Sequence, residues 1–183
     1  MVLLESLNLN NESLDVDFLL PDSKGDLISY DVSCGDKGLV VIFTCNHCPY
    51  AKAIWSRLID LANQFMPKGV GFVAINPNSH PDYPEDSPEN MAHLAKEYSL
   101  PFSYLYDETQ AIAKAYRAVC TPDIYVLDAK KDVFYHGRLD DSWQDPKKVR
   151  SFDLLNALKA LIAGHSFTQD MLPSMGCSIK WLA

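Results

Sequence analysis

The sequence predicts an α/β domain of three layers, with a mixed central sheet, helices on both faces and an N-terminal β-hairpin. Three observations carry this. GLVVIFTC (38–45) and VGFVAINPN (70–78) are short continuous runs of Val, Ile and Phe, the pattern of strands buried on both faces. Each precedes a segment with helical character, which makes βα units and a parallel core. DIYVLDAKKDVFYHGRLDD (123–141) reads as strand, turn and strand, so antiparallel strands are added late. At 183 residues, one domain is expected over 1–183, with a core of about 15–165 and a tail of 166–183.

The elements follow in order. DFLLPDSKGDLISYDV (17–32) holds two short β-like runs around Ser23-Lys24-Gly25-Asp26, a hairpin. After the first buried strand, Ile54, Leu58, Leu61, Ala62 and Phe65 recur at helical spacing from Pro49, and Pro67 with Gly69 ends that helix. After the second strand, PNSHPDYPEDSPEN (77–90) carries four prolines and reads as a long surface loop, a place where functional groups gather. Ser87 then caps a helix with Pro88 as its first residue, running to about Tyr98. FSYLYD is a short strand, Thr109 caps a helix through Tyr116, and VRSFDLLNALKALIAG (149–164) is an amphipathic helix closed by Gly164. The tail HSFTQDMLPSMGCSIKWLA (165–183) shows no period.

Composition narrows the function. The net charge is −8 and no Lys/Arg-rich block occurs, so neither nucleic acid nor a membrane surface is expected as a partner. No apolar run is long enough to span a bilayer. The opening MVLLESLNLNNESLDVDF lacks a basic stretch, and Glu5 and Asn8 interrupt its apolar residues, so no secretory signal is expected. Five cysteines, an odd number, argue against a secreted disulfide framework and for a reducing, cytoplasmic setting in which close cysteines are catalytic or metal-binding.

Cys45 and Cys48 form a C-x-x-C at the junction of a buried strand and a helix. The first N–H groups of a helix lack internal partners and carry the positive end of its dipole, so a thiolate at Cys45 would be stabilised. Cys48 stands within reach to attack or pair with it. Pro49 fits because a first-turn residue needs no N–H bond. His47, between the cysteines, would add positive charge when protonated. A structural zinc site is the competing reading of the motif, but it would need a second Cys/His pair at short spacing, and the remaining cysteines are isolated.

The chain resembles the thioredoxin-like superfamily and, within it, the alkyl hydroperoxide reductase/thiol-specific antioxidant (AhpC/TSA) branch. The resemblance rests on DFLLPDSKGDLISYDV, VVIFTCNHCPY, VCTPDIYVLD (119–128) and GRLDD (137–141), and covers roughly residues 15–165. It implies a thioredoxin-like three-layer sandwich and a thiol–disulfide oxidoreductase. Cys45 would be the nucleophile and Cys48 the resolving thiol. Pro122 would be a cis-proline packed against the couple, and Thr121 would offer backbone groups to an extended substrate. No organic cofactor and no metal are expected. The expected partners are a protein or small-molecule disulfide or thiol substrate and a recycling reductant or oxidant. Thr44 stands where a thioredoxin has Trp, and GLVVIFT lacks the Pro of a peroxiredoxin, which weakens a peroxidase reading.

Further candidates are weaker. Cys120 adjoins Thr121-Pro122 and is either a redox thiol or a small buried hydrophobe. Cys177 lies in PSMGCSIKW, a segment that reads as docking onto the domain, and is either a further redox thiol paired with Cys120 or relaying from the couple, or a simple packing residue. Cys34 sits before a turn and reads as incidental. Trp55 and Trp143 read as packing, Asp140 and Asp141 as a solvated strand end, and Tyr50 and Tyr83 as residues that rim the site or merely line a surface loop. Besides a thiol peroxidase, a copper-assembly module of Sco type is an alternative, with His136 or His165 as a third ligand to the cysteine pair.

Overall fold

In the computed structural model, residues 2–7, 9, 14 and 16–182 are described; the expected core boundary at residue 15 lies outside them. The central sheet is mixed. β4 (Gly38–Phe43) pairs antiparallel with β8 (Asp123–Asp128), which pairs antiparallel with β9 (Val133–Gly137). β5 (Val70–Asn76) runs parallel to β6 (Ser103–Tyr106), and β5 abuts β4, where Thr44 N–H donates to the Ile75 carbonyl at 2.9 Å.

The continuous apolar runs are explained by what covers each face. Val40 and Ile42 of β4 point into one core, with α2 (Pro49–Phe65), α3 (Pro88–Glu97) and α5 (Asp153–Ala163). Leu39, Val41 and Phe43 alternate to the other face. There they meet Phe18 and Leu20 beside the hairpin β2 (Leu19–Pro21) and β3 (Leu27–Ser29), Tyr30 of α1 (Tyr30–Ser33) and Ala113 of α4 (Ala111–Ala115). Both faces of β4 are therefore dry, and its six residues are all buried.

Local signals hold with small shifts. Ser29 accepts from Val32 N–H, so the expected second hairpin strand ends there and YDVS turns helical. Ser87 caps α3 as expected, with Pro88 first. Thr109 does accept from Ala111 N–H, but the residue at the cap of α4 is Gln110, in the left-handed region at φ 62°. Gly69 and Gly164, at φ 88° and 68°, take the left-handed caps that end the Met66–Lys68 turn after α2 and α5 itself.

The tail is ordered. β10 (Met175–Ser178) lies between β1 (Leu3–Glu5) and β7 (Cys120–Thr121), antiparallel to both. Its register sets Cys177 opposite Thr121 and Ser178 opposite Cys120.

Candidate active site

The C-x-x-C occupies the loop between β4 and α2, and the helix begins at Pro49 as expected. Pro49 is its first residue, so Cys48, not Cys45, is the N-cap at the positive end of the dipole. Cys45 lies beneath. Its Sγ is 3.2 Å from Thr121 Oγ1, and it clusters with Cys48, Ala51 and Cys177, with Tyr50 packed against the group. The Thr121–Pro122 bond is cis, which brings the Thr121 carbonyl 3.1 Å from Cys48 Sγ. Thr121 thus touches both sulfurs of the couple. On the other side, Cys48 Sγ is 2.7 Å from Cys177 Sγ.

Proton sharing among these sulfurs differs from the sequence expectation. The Cys48 thiol is pulled down to about 5, first by the hydrogen bond from Cys45 and, against the opposing effect of burial, by the Cys177 thiol and the Ala51 amide. Cys45 is pushed well up, mainly by burial, then by its hydrogen bond to Cys48 and the nearby Asp86 carboxylate. Cys177 is pushed up to about 12 by burial and by the bond to Cys48. As a thiol, Cys48 donates to the Thr121 carbonyl; once ionised, it accepts from the Cys45 and Cys177 thiols. The carbonyl opposes the thiolate, while the two S–H donors and the helix start favour it. The three directions together favour ionisation of Cys48 over Cys45 and Cys177. The expectation placed the activated thiol at Cys45; in the structure the residue at the helix cap is Cys48.

His47 Nδ1 lies 2.5 Å from Asp86 Oδ2, and Asp86 Oδ1 accepts from the Asn46 and His47 backbone N–H groups at 2.7 and 3.1 Å. Asp86 is fully buried although it comes from the proline-rich loop, which Asn46 Nδ2 and Asn76 Nδ2 pin through the Glu85 and Asp86 carbonyls. Asp86 was not among the sequence candidates. The only hint in the sequence is an acid flanked by prolines close before a helix cap. Tyr83, from the same loop, stacks on His47 with centroids 4.8 Å apart. Cys45, His47 and Asp86 place one donor each within 4.8 Å of one another and are the group among the described residues that could hold a metal. The Asp86 oxygens are, however, already taken by N–H groups and by His47.

Other candidates fall elsewhere. His136 Nε2 bonds Asp123 Oδ1 at 2.8 Å, its ring stacks on Tyr125, and it is not part of that donor group; His165 is exposed after α5. Neither supplies the third ligand expected of a copper module. Cys120 is buried with its thiol pushed up by burial, and the register turns its side chain to the face opposite that of Cys177, so the expected Cys120–Cys177 pairing gives way to Cys48–Cys177. Cys34 is half-buried beside Tyr30, away from the couple. Trp55 is core. Asp140 is not solvated: it is buried and paired with Arg57, while Asp141 is exposed as expected. Arg57 also donates to the Ser142 and Trp143 carbonyls at 2.9 and 2.7 Å, holding Trp143 against Tyr50, ring centroids 4.0 Å apart. Thr121, expected to offer its backbone to a substrate, instead pairs with the chain's own β10.

Residues 15–136 match the AhpC/TSA family model. The chain belongs to the AhpC/TSA family. The family's thioredoxin-like fold agrees with the solved structures it resembles. An uncharacterised conserved protein from Geobacillus kaustophilus is 44% identical, with 100% of this chain and 97% of that one covered at TM-score 0.93. A hypothetical protein from Sinorhizobium meliloti is 35% identical over 98% of both chains, at TM-score 0.91. A thiol-disulfide oxidoreductase from Bacteroides fragilis, 19% identical over 68% of this chain and 89% of that one, shares the fold at TM-score 0.57. No curated protein matches. Family membership supports an oxidoreductase role.

Proposed function

We propose that the protein is a thiol–disulfide oxidoreductase in which Cys48 is the nucleophile and Cys45 the resolving thiol. The observation that carries this is the seat of Cys48 at the N-cap of α2, with the Thr121 carbonyl and Cys177 Sγ against its sulfur; its thiol is pulled down while those of Cys45 and Cys177 are pushed up. The Cys48 thiolate attacks one sulfur of a substrate disulfide, forming a mixed disulfide and expelling the other sulfur as a thiolate. Cys45 then attacks Cys48 Sγ, the substrate's second sulfur departs with the electron pair and a proton, and the Cys45–Cys48 disulfide remains. A dithiol reductant restores the couple. Cys45, Cys48 and Cys177 are each 0% exposed, which suits a small disulfide better than a bulky protein.

The test is reduction of oxidised glutathione or cystine with dithiothreitol as the recycling dithiol. Cys48→Ser should abolish turnover, and Cys45→Ser/Cys177→Ala, which leaves no thiol against Cys48, should trap substrate on Cys48, seen by mass spectrometry. Trapping on Cys45 in Cys48→Ser would restore the opposite assignment of roles, and wild-type protein without turnover would sink the reading. The closure of the sulfurs also favours a second reading, a thiol peroxidase. There the Cys48 thiolate cleaves a peroxide O–O bond to give a sulfenic acid and an alcohol or water, and the Cys45 thiol condenses with it, releasing water. Peroxide consumption by the reduced protein decides between the two.

A further inference from the structure

We propose that Cys177 is a second resolving thiol for Cys48, so that the oxidised protein holds its disulfide either as Cys45–Cys48 or as Cys48–Cys177. This rests on the thiol–disulfide reading above and assigns a role to the C-terminal strand.

Several independent features build Cys177 into the site. The two sulfurs are 2.7 Å apart, so a bond of about 2.05 Å needs them to close by only about 0.7 Å. The strand that delivers Cys177 can approach this closely because its neighbour is glycine. A Cβ on Gly176 would lie 2.0 Å from the Thr121 carbonyl oxygen and 3.0 Å from Pro122 Cδ. The strand is anchored on both sides of the cysteine. Before it, Ser174 N–H donates to Ser6 Oγ and Ser174 Oγ donates to the Gly137 carbonyl, at 2.9 and 2.7 Å. After it, Ile179 N–H bonds the Val119 carbonyl, Lys180 N–H bonds Asn78 Oδ1 at 2.9 Å, and Gln110 Nε2 bonds the Lys180 carbonyl at 2.7 Å. A cysteine used only as a small hydrophobe would face apolar atoms. This one faces Cys48 Sγ at the N-cap of α2.

The exchange is balanced without an external oxidant. Starting from Cys45–Cys48, the Cys177 sulfur attacks Cys48 Sγ. The S177–S48 bond forms and the S48–S45 bond breaks. The electron pair leaves on Cys45 Sγ, which takes up the proton that Cys177 gives up. No net oxidation occurs; the disulfide moves and Cys45 becomes a thiol again beside Thr121 Oγ1. Cys177 can equally resolve a substrate mixed disulfide on Cys48, expelling the substrate thiolate.

The experiment oxidises the full chain with diamide, a small diazene that takes two electrons and two protons from a thiol pair, and maps disulfides by peptide mass spectrometry. Cys45→Ser should give a Cys48–Cys177 linkage, and Cys45→Ser/Cys177→Ala should give none. In the oxidised wild type, part of the Cys45 population should alkylate, and Cys177→Ala should lose that labelling. Wild-type protein that turns over through Cys45–Cys48, with no Cys48–Cys177 linkage in it or in Cys45→Ser, overturns the second resolving thiol and leaves the oxidoreductase reading standing. The linkage in Cys45→Ser, with a wild type that reduces no disulfide, supports the sulfur pairing and sinks the oxidoreductase reading instead.

Discussion

Removing the Cys45 thiol tests how the charge of the site is arranged. Cys48 is held at about 5 from an ordinary 9.0, and its largest support is the hydrogen bond from Cys45. At pH 7, a thiol at about 5 is about 99% ionised, whereas one at 9.0 is about 1% ionised, a difference of about a hundredfold in reactive thiolate. Cys45→Ala should move the Cys48 midpoint up by more than Cys177→Ala does, because the Cys177 thiol ranks below both Cys45 and burial in its effect. The assay is pH-dependent alkylation by iodoacetamide with peptide mapping, checked by thiolate ultraviolet absorbance. Burial slows alkylation at every pH without moving its midpoint, so the midpoint is the readout. A Cys48 midpoint near the ordinary thiol value in wild type, or one unchanged in Cys45→Ala, would refute the reasoning.

The same arrangement sets a pH dependence for the reduced protein. Cys48 ionises more readily folded than unfolded, so its contribution to stability is full above about pH 9 and is lost as pH falls through about 5. Cys45 and Cys177 are raised, so their contributions are present below the unfolded thiol value and are lost as pH rises through their folded values. Between about 5 and 9 the slope from these sulfurs comes from Cys48, and Cys48→Ala should remove it.

Three further outcomes are expected. Gly176→Ala sets a Cβ 2.0 Å from the Thr121 carbonyl oxygen and forces β10 away, which should cost about 1–3 kcal/mol in urea denaturation and raise the Cys48 midpoint. Asp86→Ala orphans the buried Asn46 and His47 N–H groups and should destabilise by about 2–4 kcal/mol, while Asp86→Asn, which keeps an acceptor oxygen, should cost clearly less, again by denaturation. Trp143→Ala frees Tyr50 and should speed Cys48 alkylation at every pH while leaving its midpoint in place.

What the sequence made legible is what period and turn chemistry encode. β4 and β5 stood out because both of their faces are dry, and α2 and α3 because their caps and stripes are local. Thr121-Pro122 stood out by resemblance to the family, and it lies at the couple. The partner of the tail did not show, because MGCS pairs with strands of only three and two residues and alternates nothing. Its Gly and Cys are also what a surface turn would contain. Asp86 stayed hidden because a carboxylate among four prolines reads as solvated, and its partners, Asn46 and His47, lie 40 and 39 residues away in the chain. Asp140 was misplaced for a similar reason: its partner Arg57 lies 83 residues away in sequence, on α2. In each case the missing information is a long-range polar contact, which leaves no local period.

The tail also constrains how a substrate reaches the sulfurs. An extended peptide would need the Thr121 edge, and β10 already occupies it, held at Ser174 and Lys180 by bonds to Ser6, Gly137, Asn78 and Gln110. With β10 integral to the fold, approach shifts to the side where Tyr50 lies against the sulfur cluster. Tyr50 is held by Trp143, and Trp143 by the Arg57 bonds that the buried Asp140 keeps in place. Beside this chain of contacts lies a cleft of about 270 Å³, lined by Pro122, Asp140, Trp143 and Met175 among others, which reaches the cis-proline and stops short of the sulfurs. Under the proposed reading the cleft offers a small disulfide a seat beside the cis-proline, whereas a peptide strand would require β10 to be withdrawn. The proposed reading therefore takes small substrates, because the chain's own β10 fills the edge a peptide would use, and the same strand sets Cys177 Sγ 2.7 Å from Cys48 Sγ.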